Sequence, residues 1–236
     1  MKKLFIITAL LFSGSSLYSQ IQYGSGVRFG VKAGVNISSM NIKGGMSDIY
    51  PSPSYRLGYN ISGIANIQLS KILYFQPGIS LTEKGFKAER KSVKELYFGD
   101  MELSPEEQVI RIWYKRERRA LCVEMPLNII LKFDTGNGKI PFGAGPYVAY
   151  GISYKDKIHQ RAEYKGMVQS EEIERDLFKQ GANKFDYGFN FLTGYELNNG
   201  LFLHGGYGLG LGKLNDDSEG TSAKHKLFTV SLGFLF

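Results

Sequence analysis

The sequence predicts an all-β fold, an eight-stranded antiparallel up-and-down transmembrane β-barrel with short periplasmic turns and long extracellular loops. Three observations predict it. Eight segments alternate apolar and polar residues with a period of two. Their connections alternate short and long, as the two rims of an outer-membrane barrel require. Beyond the leader, no run approaches the roughly 20 apolar residues of a membrane helix, so a span must be a closed barrel.

The leader comes first. Lys2 and Lys3 precede an apolar run over residues 4–12, and small and polar residues follow to Ser19. That is the layout of a Sec-dependent signal peptide, too short to span a bilayer. Residues 1–19 are read as the signal and 20–236 as one barrel domain, with Gln20 the mature N-terminus. Removing Lys2 and Lys3 takes the formal charge from +7 to +5. High counts of Gly (29), Tyr (15) and Phe (16) favour curved β-structure with interfacial rings over a helical bundle. The slightly negative mean hydropathy fits a barrel, because half of each spanning strand faces a polar interior.

The first segment puts Phe29, Val31, Ala33, Val35 and Ile37 on one face, against Arg28, Lys32, Asn36 and Ser38. In the second, Tyr55, Leu57, Tyr59, Ile61, Ala65, Ile67 and Leu69 oppose Arg56, Asn60, Ser62, Asn66 and Gln68, with Ile64 the exception. After a turn at Ser70 and Lys71, Leu73, Phe75, Pro77, Ile79 and Leu81 alternate with Tyr74, Gln76, Ser80 and Thr82. The fourth carries Leu121 through Phe133 at odd positions against Cys122, Glu124, Asn128 and Lys132. A Thr-Gly-Asn-Gly turn leads to Phe142, Ala144, Pro146, Val148, Tyr150 and Ile152. The sixth alternates Phe185, Tyr187, Phe189, Phe191, Tyr195 and Leu197. Asn198-Asn199-Gly200 turns it into Leu201, Leu203, Tyr207, Leu209 and Leu211. Phe228, Val230, Leu232, Phe234 and Phe236 end the chain.

Residues 41–54, 87–118, 155–184 and 215–224 are expected to be the long loops. Two short helices are expected within them. One opens at Ser104-Pro105-Glu106-Glu107 and the other at Ser170-Glu171-Glu172, with Ile173 and Leu177 on one side and Gly181 as its stop. The lone Cys122 can form no internal disulfide and reads as a small interior filler. Gly206, Gly208, Gly210 and Gly212 recur with period two inside a strand; they suit a crowded inner face and do not form a nucleotide loop. Tyr55, Tyr150, Tyr154 and Tyr187 read as girdle residues.

An eight-stranded lumen is filled by side chains, so its charges must pair. Arg28, Lys132, Glu196 and His204 are expected near the short-turn rim, with Lys32 and Glu124 nearer mid-depth. Glu196 and Glu124 are expected to pair with these basic residues in a polar network, so that Glu124→Ala lowers the unfolding midpoint. Arg111, Trp113, Lys115, Arg116, Arg118 and Arg119 form a basic and aromatic loop patch, expected to meet lipopolysaccharide phosphates or a solvated rim. An exported protein rarely meets nucleic acid, so none is expected as a partner. No His, Ser, Asp or Cys spacing marks a catalytic or metal site, and no cofactor is expected.

The stretches Phe29-Gly30-Val31-Lys32-Ala33-Gly34-Val35-Asn36, Pro141-Phe142-Gly143-Ala144-Gly145-Pro146-Tyr147 and Thr229-Val230-Ser231-Leu232-Gly233-Phe234-Leu235-Phe236 resemble the PorT-like outer membrane protein beta-barrel family of Bacteroidota. That resemblance implies a small outer-membrane barrel with no shared catalytic residues. It implies that the terminal strand, ending in Phe236, is read by the barrel-assembly machinery. It further implies a secretion-system or envelope protein partner, with a PorT-like role in type IX secretion assembly. Three readings remain open from the residues: a structural or interaction barrel, a narrow channel or transporter for small solutes, and a soluble lipocalin-like periplasmic binder.

Overall fold

The computed structural model describes residues 26–43, 54–95, 109–164, 167–212 and 222–236. The signal peptide, the mature N-terminus at Gln20 and the helix at Ser104 lie outside them. So do most of the first and last long loops.

The described chain forms β1 (Val27–Lys43), β2 (Arg56–Gln68), β3 (Leu73–Glu95), β4 (Val109–Asp134), β5 (Gly138–Tyr164), β6 (Met167–Asp176), β7 (Phe185–Leu197), β8 (Leu201–Gly210) and β9 (Ser222–Leu235). Every pairing is antiparallel. The order β4-β3-β2-β1-β9-β8-β7-β5 closes on itself through β4–β5, giving an eight-membered ring. β6 lies outside the ring, added to the far end of β5.

The three turns on one rim are short because their residues suit tight geometry. Gly136 and Gly200 adopt positive φ of 72° and 97°, values that a Cβ disfavours. Ser70 Oγ accepts from the Leu73 amide at 3.2 Å, and Asn199 Oδ1 accepts from the Leu201 amide at 3.0 Å. The last and first strands lock together on this rim, where the Phe236 amide donates to the Phe29 carbonyl at 2.7 Å.

Apolar side chains face out. Phe189 is 45% exposed and Leu232 57%, whereas Asn60 is 5% exposed. That arrangement removes the soluble lipocalin-like reading, which needs the opposite polarity. The 13 residues of β7, at about 3.3 Å each and about 40° of tilt, rise about 30 Å, the height of a bilayer's apolar core. Ile64, the apolar exception in β2, points inward and packs with Phe202 and Leu235 in a small core at the short-turn end.

The strands do not stop at the bilayer. Residues 87–118 and 155–184, expected as loops, continue β3, β4 and β5 outward as paired strands, from Ala88↔Arg116 to Glu95↔Val109 and from Arg119↔Lys155 to Ile110↔Tyr164. The helix expected at Ser170 is instead β6, paired from Lys155↔Asp176 to Tyr164↔Met167. An open edge on β5 supplies backbone partners that a short isolated helix lacks. Cross-strand ion pairs, Lys155–Glu174 at 2.9 Å and Lys157–Glu174 at 3.0 Å, add to the register. A turn over residues 177–181 follows, ended by Gly181 at φ 93°.

A bulge marks where wall becomes projection. The β4–β5 register shifts between Leu121 and Cys122, which pair with Ser153 and Gly151 and leave Ile152 unopposed. One extra residue reverses which side chains face inward. Tyr154, expected in the outer girdle, is therefore 1% exposed on the inner face. Tyr55, Tyr150 and Tyr187 do face outward.

Between β2 and β3 the ladder breaks after Asn60↔Thr82 and resumes at the bridge Ser54↔Lys87. Side chains of β1 fill the gap. Asn36 Nδ2 donates to the carbonyls of Tyr59 (2.9 Å) and Glu83 (3.3 Å). Ser38 Oγ donates to the Gly85 carbonyl at 2.8 Å and accepts from its amide at 2.9 Å. Backbone groups left without a strand partner are thus satisfied.

Candidate functional site

Two regions concentrate polar chemistry, the lumen and the projecting sheet. In the lumen, inward positions of neighbouring strands bring charges together in two clusters. Near the short-turn rim, Lys132 of β4 reaches Glu196 of β7 at 2.5 Å, and His204 Nε2 of β8 lies 3.3 Å from the other Glu196 oxygen. The Lys132 ammonium sits 4.7 Å from the Tyr74 ring centroid. Arg28, expected to join a carboxylate here, instead donates to the carbonyls of Leu235 (2.8 Å) and Phe236 (3.3 Å). It clamps the chain's end because β1 and β9 are ring neighbours.

The second cluster lies higher. Glu124 of β4 pairs with Lys84 of β3, which also reaches Asp186 of β7 at 3.2 Å. Thr82 Oγ1 donates to Glu124 at 3.2 Å and the Tyr147 hydroxyl to Asp186 at 3.1 Å. Glu124 was expected to pair with one of Arg28, Lys32, Lys132 and His204. Lys84 is its partner because both point inward on paired strands, two inward steps apart (Ser80↔Glu124, Lys84↔Ala120), a span that the long lysine side chain covers. Lys32 is half-buried and lines a cavity of about 70 Å³ between the clusters, with Asn60, Thr82, Glu124 and Asn128. Such a space admits water and little else. Within the two clusters and the cavity beside them, the described lysines Lys32, Lys84 and Lys132 match the carboxylates Glu124, Asp186 and Glu196 in number.

Beside the second cluster an apolar group fills the interior. Ala120, Cys122, Tyr147, Ala149, Tyr154 and Leu177 pack together, with Phe178 against them. Cys122 is buried there as a filler.

The projecting sheet separates the basic and aromatic patch by strand periodicity. Arg111, Trp113, Lys115 and Arg119 lie on the face continuous with the lipid-facing wall. Arg116 and Arg118 lie on the opposite face and hold Asp156 of β5 at 2.5 and 3.4 Å. The expected single patch is therefore two surfaces, since alternate strand residues point opposite ways. On the outward face Arg161 stacks 5.2 Å from the Trp113 ring, and Lys115 meets Glu89 at 3.3 Å. His159 is 3.5 Å from Glu172. A shallow groove of about 410 Å³ runs here, lined by Trp113, Lys115, Glu89, His159, Arg161 and Glu172 among others.

At the foot of this sheet Arg56 joins Glu83 at 2.6 Å and Glu117 at 2.9 Å. Partial burial alone would raise the Glu117 carboxyl. The hydrogen bond and charge of Arg56, with Lys87 and Arg119 beside it, outweigh that and hold it below the usual carboxylate range. A carboxylate whose folded pKa is depressed contributes stability that is full above its unfolded pKa and fades as pH falls through the folded one. Glu117→Gln is thus expected to be less stable than wild type at pH 7, with the gap closing as the pH is lowered through and below the carboxylate range. Urea midpoints at pH 7 and pH 3 check this; an equal gap at both would show that Glu117's charge is irrelevant.

Lys84, Asp186 and Arg56 carry much of this chemistry without having been singled out as sites. Lys84 extends the inward series Gln76, Ser80, Thr82 by one more step, and Asp186 alternates with Asn190 on β7. Continuing the period-two count past Thr82 would have found Lys84, whereas Asp186 lay within the expected sixth strand, on the face opposite Phe185 and Tyr187. Among the described residues, no group of three or more His, Cys, Asp and Glu is placed to hold a metal ion.

Residues 18–216 match the family described as outer membrane protein beta-barrel domain. No curated protein matches the sequence. Among solved structures, the attachment invasion locus protein Ail of Yersinia pestis is 12% identical, with 89% of this chain and 98% of that one covered, at a TM-score of 0.38. Neisserial surface protein A is also 12% identical, covering 89% of this chain and 99% of its own, at 0.36. The Escherichia coli outer membrane protease OmpT is 9% identical over 92% and 99%, at 0.30. Likenesses this distant carry no statement about activity.

Proposed function

Because this chain belongs to the outer membrane protein beta-barrel domain family and resides in the outer membrane, we propose that it is a non-enzymatic barrel acting through its extracellular sheet. The observation that carries this reading is the continuation of β3, β4 and β5, with β6 added, well past the apolar wall. A barrel needing only to sit in the membrane has no use for paired strands of this length outside it. The groove around Trp113 and Arg161 offers a protein partner an aromatic anchor flanked by charges of both signs, the composition of interface hot spots.

A photoreactive side chain at Trp113 or His159 is expected to cross-link a protein in intact cells, while the same group at Phe189 captures only lipid. Equal protein capture at all three positions would remove the sheet as the interaction surface. The finer form of the reading is a PorT-like part in type IX secretion assembly, supported by the sequence resemblance. Undiminished type IX cargo export in a strain lacking the gene would eliminate it.

The cavity beside Lys32 favours a second reading, a narrow solute path. Its neutralised charges and small volume weigh against it. Planar-bilayer recordings are expected to show no discrete conductance steps; steps that vanish in Lys32→Met would establish the path instead.

A further inference from the structure

We propose that the outward face at the foot of the projecting sheet is a docking site for phosphorylated lipid headgroups of the outer leaflet, with Arg119, Lys155 and Lys157 as its cations. The site rests on outer-membrane residence and is independent of the protein partner proposed above.

The placement follows from register. Leu121 of β4 and Ile152 of β5 end the apolar wall on these strands, and Arg119↔Lys155 is the first charged pair beyond it. Arg119 is two positions from Leu121, roughly 7 Å along the strand. On β4 the alternation runs through the bulge unchanged, so this face continues the lipid-facing wall and whatever lipid covers Leu121 and Ile152 carries its headgroup to the height of Arg119. Lys157 follows two pairs later, opposite Glu117. On the other side of the ring Lys226 is exposed one outward position above Phe228.

The cations lie on top and much of the acid lies beneath. Arg119 and Lys155 are each 54% exposed, whereas Glu83 and Glu117 are 11% and 25%. Arg56, itself buried, holds those two carboxylates. Arg119 stands 3.7 and 3.6 Å from them, at the outer limit of an ion pair. Its guanidinium is therefore open to a bidentate phosphate, for which its planar fork is suited. Glu174 receives both Lys155 and Lys157, which sets the two ammonium groups side by side. The arrangement fits anionic headgroups with more than one phosphate. A neutral headgroup gains nothing from it.

The test uses full-length protein in phosphatidylcholine nanodiscs doped with bisphosphorylated lipid A, with enzymatically dephosphorylated lipid A, or with neither plus millimolar inorganic phosphate. Native mass spectrometry counts bound lipid, and the unfolding midpoint is read in each. Bisphosphorylated lipid A is expected to bind and raise the midpoint, and the other two arms are not. R119Q/K155Q/K157Q is expected to bind it about a hundredfold more weakly, while R111Q/K115Q, higher on the same face, binds as wild type. Equal binding of the dephosphorylated lipid by the wild type would overturn the proposal, whether or not the triple variant folds. An equal midpoint shift with inorganic phosphate would reassign the site to free anions, and equal loss in R111Q/K115Q would move it up the sheet. These readouts do not involve Trp113, so a failed cross-link there and a failed lipid site are separate results.

Discussion

Lys84→Met is expected to lower the unfolding free energy by about 3–5 kcal/mol, the cost of leaving buried charge without its counterion. Two carboxylates depend on this one ammonium. Glu124 of β4 and Asp186 of β7 flank Ala149 of β5, the one strand between them in the ring, and both are buried. Removing the cation leaves like charges facing each other in a low-dielectric interior, with Thr82 and Tyr147 donating to them. Urea unfolding of the folded barrel in lipid vesicles gives the measurement. The triple change K84M/E124Q/D186N is expected to recover most of the loss, because neutral amides need no counterion. A Lys84→Met protein as stable as wild type would mean that water, and not Lys84, neutralises the cluster. Glu124→Ala leaves Lys84 with Asp186 and is therefore expected to cost less than Lys84→Met.

Leu127→Arg is expected to cost about 2–4 kcal/mol in lipid, and Phe133→Arg only about 0–1. Both are outward and apolar on β4. Leu127 sits midway between the wall's ends at Leu121 and Phe133, where a guanidinium meets hydrocarbon. Phe133 lies next to the turn, where the same group reaches headgroups and water. Vesicle unfolding of the two variants reads the depth directly. Equal costs at both positions would place the apolar core of the bilayer elsewhere on the barrel.

Much of the ring was legible in the sequence because lipid and lumen impose opposite demands on successive residues. Phe29 to Ile37 and Phe185 to Leu197 could be assigned to a face from alternation alone. Outside the bilayer that contrast disappears. In β4, Trp113, Lys115 and Glu117 face one way and Tyr114, Arg116 and Arg118 the other, and water tolerates all six, so no period shows in their hydropathy. Charge shows what hydropathy hides: Lys155, Lys157 and His159 alternate opposite Glu174 and Glu172. The same segment misled at β6, where Ile173 and Leu177, four apart, imitate a helical stripe. The bulge at Ile152 left no compositional trace at all, and with it went the orientation of Tyr154. Lys132 and Glu196 could be placed near the short-turn rim by their distance from the turns, and there they meet. Lys84 could not, since β3 was expected to end before the strand turns wholly polar.

Because β5 is one strand from Gly138 to Tyr164 and exchanges β7 for β6 along the way, the projecting part and the part in the membrane share a backbone with no hinge between them. A pull on the tip, directed along the strands, would load many ladder hydrogen bonds at once in shear, and would not peel them one after another. The tension would pass straight into the staves of the cylinder. Mechanically the protein is a mast stepped through its deck.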